Sequence, residues 1–228
     1  MKLSREEKTG ANSYSAELMN RRWLTDEVFE IELTRPESFI FKPGQRIRLI
    51  HQTIERDYSL ITTPADSSLA LCLQKVQGGQ LPQMLASLKI NTRLSFTGPH
   101  GYFTHRPSNR PPVFVATGTG IAPFLSMVRS GLSGFSLIHG MRASADLFYE
   151  HFFRATARFY MPCVSGGADQ LLSEKDVFQG RVTDYLRKHL PVGSYDFYLC
   201  GHQDMIRDVT LLADERFPDS LVYTETFY

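Results

Sequence analysis

The sequence predicts two domains: an antiparallel six-stranded β-barrel over residues 1–107, then an α/β doubly wound parallel sheet over residues 108–228. Three observations carry this expectation. Up to about Gly98, apolar and polar residues alternate in short runs separated by turn residues, the pattern of half-buried antiparallel strands. His105-Arg-Pro-Ser-Asn-Arg-Pro-Pro112 then reads as a linker by composition. Beyond it, apolar strand-like runs alternate with helix-periodic stretches, the rhythm of a parallel sheet with helices on both faces.

Residues 1–12 are polar and read as a loose end. In Val28–Leu33, Phe29, Ile31 and Leu33 share one face, while Glu30 and Glu32 take the other. Gln45–Ile50 alternates basic with apolar residues, and Leu69, Leu71 and Leu73 repeat the period, as do Leu94 and Phe96. Turn signals separate these runs at Lys42–Gly44, Thr63–Asp66, Gly78–Gly79 and Gly98–Pro99, and one short helix is expected over Leu81–Ser87. After the linker, strands are expected at Val113–Ala116, Phe135–His139, Arg158–Val164, Phe197–Cys200 and Leu221–Thr224. Helices are expected at Ala122–Arg129, Ala145–Ala155, Arg181–His189 and Asp204–Glu215.

Composition narrows the function classes. The 228 residues are 42% hydrophobic, enough for a sizeable core, and 25 basic against 24 acidic side chains leave a net charge of +1. That balance gives no electrostatic footprint for nucleic acid. No apolar run approaches the ~20 residues of a membrane span, and the charged Met1–Lys8 stretch lacks the apolar core of a signal peptide. Cys72, Cys163 and Cys200 are odd in number and widely spaced. They suit neither a disulfide framework nor a metal or iron–sulfur site, so no metal is expected and the cytoplasm is the expected compartment.

The chemistry-bearing stretch is Val113–Val128. Four apolar residues suit a buried strand. Thr117-Gly-Thr-Gly120 is a turn uncrowded by bulky side chains, and Pro123 fits a first helical turn. Strand, glycine turn and helix start together present free N–H groups to a phosphate, although an ordinary strand-to-helix turn has the same outline. In the barrel half, Arg56-Asp-Tyr-Ser59 combines a fork that pairs with a diphosphate, a ring that stacks on a flat heterocycle and a hydroxyl donor. A solvated surface turn is the alternative. Gln77–Leu81 and Gly98–Phe103 supply two further turns. His139-Gly-Met-Arg142 and Tyr198-Leu-Cys-Gly-His202 end strands where such sheets bind ligands. There the Cys200 thiol is expected to point into the crevice, unless it is a small core hydrophobe.

Taken in order, Arg56–Ser59, Gly78-Gly79, Gly98–Gly101, Thr117–Pro123, His139–Arg142 and Leu199–Gly201 resemble the ferredoxin–NADP+ reductase family over residues ~15–228. The resemblance implies a flavoenzyme that moves hydride from NADPH or NADH to bound FAD, then electrons to a separate small carrier of ferredoxin or flavodoxin type. It implies a monomer without nucleic-acid or membrane partners. Residue by residue, Arg56 would hold the flavin diphosphate, Tyr58 would flank the ring system and Ser59 would sit near N5. Gly79 and its neighbours would bind phosphates through backbone N–H groups. Thr117, Gly118, Thr119, Gly120, Ile121, Ala122 and Pro123 would bind the nicotinamide diphosphate, and Cys200 and Gly201 would border the nicotinamide. The cofactor set is completed by Asp57, Gln74, Val76, Gly78, Gln80, Leu81, Gly140, Ser165 and Met205. Ser59, Cys200 and Glu225 form the implied catalytic set, with Phe227 and Tyr228 as an aromatic lid.

Two positions depart from the family pattern. Pro82 follows the glycine pair where a hydroxyl residue is usual, and Gly166-Gly167 follow Ser165 where NADP-specific members carry an arginine. The second leaves Arg142 or Arg181 as substitutes for a 2′-phosphate and leans the expectation towards NADH or dual use. A free-flavin reductase and a non-catalytic FAD-containing subunit remain as alternatives.

Overall fold

The computed structural model describes residues 12–76, 78–166 and 177–227. Its first half contains β1 (Ser13–Trp23), β2 (Val28–Thr34), β3 (Arg46–His51), β4 (Ile54–Ser59), β5 (Ser68–Gln74), helix α1 (Gln80–Ser87) and β6 (Arg93–His100). The strands pair antiparallel in the order β4-β3-β6-β1-β2-β5. The ends of this sheet meet through a Leu60–Leu71 bridge and a 2.9 Å bond from Ile61 N–H to Ala70 O, which closes the barrel. Closure removes the exposed edges that an open sheet would present. The alternating residues Phe29, Ile31, Leu33, Leu69, Leu71, Leu73, Leu94 and Phe96 fill the interior, each at 1% exposure or less.

The second half contains β7 (Pro112–Thr117), α2 (Ala122–Arg129), β8 (Ser136–Met141), α3 (Glu150–Thr156) and β9 (Phe159–Val164). There follow β10 (Phe178–Gln179), α4 (Val182–His189), β11 (Asp196–His202), α5 (Gln203–Arg216) and β12 (Leu221–Phe227). The sheet is parallel, in the order β10-β9-β8-β7-β11-β12. The chain winds outward from β7 and then returns to its other side as β11. The carboxyl ends of β7 and β11 therefore flank a topological switch point, where this architecture opens a crevice. One face packs Phe114 and Tyr198 against Phe124, Phe135 and Phe153, and Val28, Ile61, Cys72 and Phe103 from the barrel side join that cluster. The other packs Val115, Phe197 and Leu199 against Leu186, Val209 and Leu212 of α4 and α5.

Several expectations are corrected. The helix expected over Ala145–Ala155 is broken into a 3-10 turn at Ser144–Asp146 and α3. Between them Tyr149 adopts φ 61°, and its hydroxyl donates to Glu30 Oε1 of the barrel at 2.6 Å. That tie across the seam competes with helix continuation. β10 lies in a stretch given no strand by the sequence reading, while β11 and β12 run further than expected, to His202 and Phe227. The linker is pinned to β11: Arg106 N–H donates to the Tyr198 hydroxyl at 3.0 Å, and Arg110 Nε to Asp196 Oδ1 at 2.6 Å. Among the described residues no helix is long and apolar enough to cross a membrane.

Candidate functional site

Two clefts open at the switch point. The larger, of about 850 Å³, runs between the barrel and the carboxyl ends of β7, β11 and β12. β4 contributes Arg56, Asp57, Tyr58 and Ser59, β5 and the turn after it Gln74, Val76 and Gly79, and the tail Glu225 and Phe227. The smaller, of about 460 Å³, lies over β7, β8 and β9 and is lined by Gly140, Arg142, Ser165, Arg181 and Met205. Gln74, Thr117, Gly118 and His202 line both, so the clefts adjoin there.

In the larger cleft, strand alternation separates the roles of β4. Arg56 is exposed, and its Nη1 donates to the neighbouring Glu55 carbonyl at 2.7 Å, leaving the rest of the fork facing outward. Ser59 is 1% exposed, and its Oγ is a buried polar atom with no hydrogen-bond partner among the described residues. An orphaned hydroxyl costs about 1–3 kcal/mol when nothing occupies the cleft beside it. Its place next to Tyr58 fits a ligand carrying an acceptor or donor on a flat ring. Asp57 is committed elsewhere: Arg48 Nε donates to it at 2.7 Å and Arg46 Nε at 3.1 Å. Burial works to raise its carboxyl, but the bonds and charges of Arg48 and Arg46 outweigh burial and hold its pKa below the ordinary value. Asp57 therefore orients the two arginines rather than contacting a phosphate. At the next turn, Gly79 N–H donates to Val76 O at 2.9 Å, so the open donors at the uncapped start of α1 come from Gln80 and Leu81.

The glycine turn is held from behind. Gly118 has φ +53° and its carbonyl lies 3.2 Å from His139 Nε2, while His139 Nδ1 lies 3.4 Å from the Tyr160 hydroxyl. His139 is completely buried, and burial pushes its pKa down to about 4 against the partial support of the Gly118 bond. The imidazole is thus neutral, donating from Nε2 and accepting at Nδ1. Because a trans peptide points its C=O and N–H opposite ways, drawing the Gly118 carbonyl inward turns the Thr119 N–H away from His139. Gly120 packs so tightly that an added Cβ would lie 2.3 Å from Cys200 O. His202 N–H donates to Thr117 Oγ1 at 2.9 Å, tying the ends of β7 and β11 together.

The structure separates the expected site residues. Thr117, Gly118 and Thr119 line a cleft, but Gly120, Ile121, Ala122 and Pro123 are buried behind them, where α2 packs under the sheet. Leu81 is likewise buried in the barrel core at 1% exposure. Gly201 lines the larger cleft, whereas Cys200 is fully buried among the core residues. The thiol does not line the crevice with Phe227 in place, and burial pushes its pKa well above the ordinary value. Gln77, Gly167 and Tyr228 lie outside the described residues. Arg46, Arg48 and His202 line the larger cleft without having been singled out as site residues. Their only signal was the basic alternation of β3 and the last residue of the Tyr198–His202 run. Asp146, Asp204 and Asp208 in the smaller cleft were also missed.

Comparison with known proteins matches this layout. Residues 21–105 match the Oxidoreductase FAD-binding domain family, and residues 114–210 the Oxidoreductase NAD-binding domain family. A crystal structure of a ferredoxin NADP+ reductase from Neisseria gonorrhoeae with bound FAD and NADP superposes with a TM-score of 0.83 at 21% identity, covering 96% of this chain and 100% of that one. A cytochrome P450 reductase from Amycolatopsis gives 0.80 at 24% identity, covering 99% of this chain and 74% of that one. At those identities the likeness shows the fold. The electron transfer component of toluate 1,2-dioxygenase from Pseudomonas putida is 31% identical over 89% of this chain, which spans 64% of that protein. A ferredoxin–NADP reductase B from Sorangium cellulosum is 31% identical over 225 residues, 89% of this chain and 92% of that relative. The chain therefore belongs to the ferredoxin–NADP reductase family of FAD- and NAD(P)-binding oxidoreductases.

Proposed function

We propose that the chain takes electrons from NADH or NADPH and passes them through FAD to a separate small carrier protein of ferredoxin or flavodoxin type. The observation that carries this reading is the adjoining of the two clefts at Gln74, Thr117, Gly118 and His202. A flavin in the larger cleft and a nicotinamide nucleotide in the smaller would bring their reactive rings together there. The names of the relatives, a ferredoxin–NADP reductase and a dioxygenase electron transfer component, support the carrier. Bound flavin supplies a hydride acceptor at N5 that returns electrons singly or in pairs.

The chain's own residues bind and orient. Arg56 pairs with the flavin diphosphate, the Gln80 N–H reaches its oxygens, and Tyr58 lies along the ring. The orphaned Ser59 hydroxyl finds its partner on the ring edge. The turn at Thr117 and Gly118, which the His139 brace holds in place and which lines the smaller cleft, meets the nucleotide diphosphate. Phe227 covers the cleft until the nicotinamide displaces it, and Glu225 sits on the same face. Arg142 and Arg181, balanced by Asp146, Asp204 and Asp208, hold the adenosine end. An arginine at position 166 is closed off, because a Cβ there would lie 2.3 Å from Arg142 O. That supports NADH, or use of both coenzymes, over strict NADPH dependence. The reading places the domain boundary between residues 107 and 108 and takes the protein as a cytoplasmic monomer, in keeping with its three buried free cysteines.

The test is direct. The purified protein should be yellow, NADH or NADPH should bleach it without oxygen, and ferredoxin or flavodoxin should restore the colour faster than free riboflavin does. Bleaching followed by transfer to free flavin alone would favour a flavin reductase. Failure of either coenzyme to bleach a yellow protein would favour a non-catalytic subunit.

A further inference from the structure

Glu225 is 8% exposed and is the only carboxylate that β12 carries. It sits beside Cys200 of β11, and across the seam Arg46 Nη1 of β3 donates to its Oε1. Arg46 is held from the other side by Asp57, at 3.1 Å from its Nε, and Asp57 by Arg48 at 2.7 Å. The run Arg48–Asp57–Arg46–Glu225 thus crosses from the barrel to the last strand of the second sheet. Gly101 leaves room for it, since a Cβ there would lie 2.8 Å from Arg46 Nη1 and 3.6 Å from Glu225 Oε2.

β12 needs such a tether. Among the described residues it is an edge strand, paired only to β11, and its far end carries Phe227 into the larger cleft. Phe227 lies two residues beyond Glu225 and so on the same face of the strand. A force on the Glu225 carboxylate is therefore transmitted to the ring through a short extended segment. We propose that Arg46 is a positioning residue for hydride transfer: by pairing with Glu225 it clamps the end of β12 to the barrel and sets how tightly Phe227 covers the flavin. This rests on the reading of the larger cleft as the flavin site. Nicotinamide must displace the ring, so the strength of the clamp is subtracted from nucleotide affinity. The same clamp supports the charge of a carboxylate that its buried place disfavours. Burial and the nearby Asp57 charge raise its pKa, and Arg46 opposes them.

The experiment uses the FAD-loaded full chain and visible-band titrations with NAD+ and NADP+. Arg46→Leu should shift the flavin bands and tighten oxidised-nucleotide binding about tenfold, with flavin retained. Arg46→Lys should restore the wild-type behaviour to within about threefold, because an ammonium still pairs with the carboxylate. Glu225→Gln, close to isosteric, should reproduce Arg46→Leu even if that variant loses its flavin. Phe227→Ala should tighten binding as well, and Arg46→Leu combined with Phe227→Ala should bind no more tightly than Phe227→Ala alone. Bands and affinity that respond to Phe227→Ala but ignore Arg46→Leu and Glu225→Gln would overturn the clamp while leaving the cleft assignment intact. So would full additivity in the double variant. A wild-type flavin whose bands ignore both nucleotides and Phe227→Ala would instead overturn the cleft assignment.

Discussion

Acid should expose the brace behind the glycine turn. His139 is completely buried, with Gly118 O at 3.2 Å and the Tyr160 hydroxyl at 3.4 Å as its hydrogen-bonding neighbours and Phe148 edge-on at 5.7 Å. Its pKa falls from the ordinary 6.5 to about 4 because burial disfavours the charged ring. The unfolded chain therefore binds a proton that the folded chain refuses throughout that interval. The contribution to stability is complete above pH 6.5 and is lost as the pH falls towards 4. Between about pH 7.5 and about pH 5 the loss from this one group is roughly 2 kcal/mol. Urea unfolding of FAD-saturated wild type and His139→Gln at both pH values isolates it, because all other groups titrate in both proteins. The wild type should lose about 2 kcal/mol more than the variant over that interval. Glutamine still offers a donor to Gly118 O, so its nucleotide binding should stay near wild type. His139→Leu leaves that carbonyl without the side-chain bond and should weaken oxidised-nucleotide binding about tenfold, the scale of one lost buried hydrogen bond. Parallel pH dependences in wild type and His139→Gln would refute the reasoning.

Arg56→Ala should weaken FAD about ten- to a hundredfold, the scale of one charge-assisted bond, and flavin retention on dialysis checks it; unchanged affinity would remove Arg56 from the diphosphate site. Ser59→Ala should stabilise the flavin-free protein by about 1 kcal/mol, because it deletes a buried hydroxyl that lacks a partner among the described residues. The same change should slow flavin reduction by NADH in stopped flow, and a stability loss in the flavin-free protein would show that the hydroxyl is satisfied. Gly166→Arg should fail to install NADPH preference, since its Cβ would meet Arg142 O at 2.3 Å. A rise in the NADPH-to-NADH ratio of kcat/KM above about tenfold, some 1.4 kcal/mol, would show that the backbone there yields.

What could be read from the sequence and what could not divide along one physical line. Local periodicity fixes which face of an element is buried, and it was enough for β2, β3, β5 and β6 of the barrel, for α2, and for the strand–turn–helix at Thr117–Pro123. Arg56, Tyr58 and Ser59 were picked out by their chemistry and by the family resemblance, and all three line one cleft. Periodicity says nothing about which strand lies beside which. Arg46 and Glu225 are 179 residues apart, and no pattern within either segment marks them as partners. Tyr149 similarly looked like the interior of a helix, yet its hydroxyl meets Glu30 on the barrel 119 residues earlier, and α3 begins only after it. For Cys200 the sequence left two placements, a crevice thiol or a small core hydrophobe, and the structure buries it in the core. A position near the end of a strand points to the crevice, but β11 sits between β7 and β12 and every residue before His202 is buried. The same central position gives its final residues their use: Gly201 and His202 emerge from the covered part of the strand at the switch point, where Thr117 Oγ1 fixes His202 N–H at 2.9 Å. A motif at the end of a central strand thus marks the cleft by its backbone and last side chain, while the residue just before them is spent on the core.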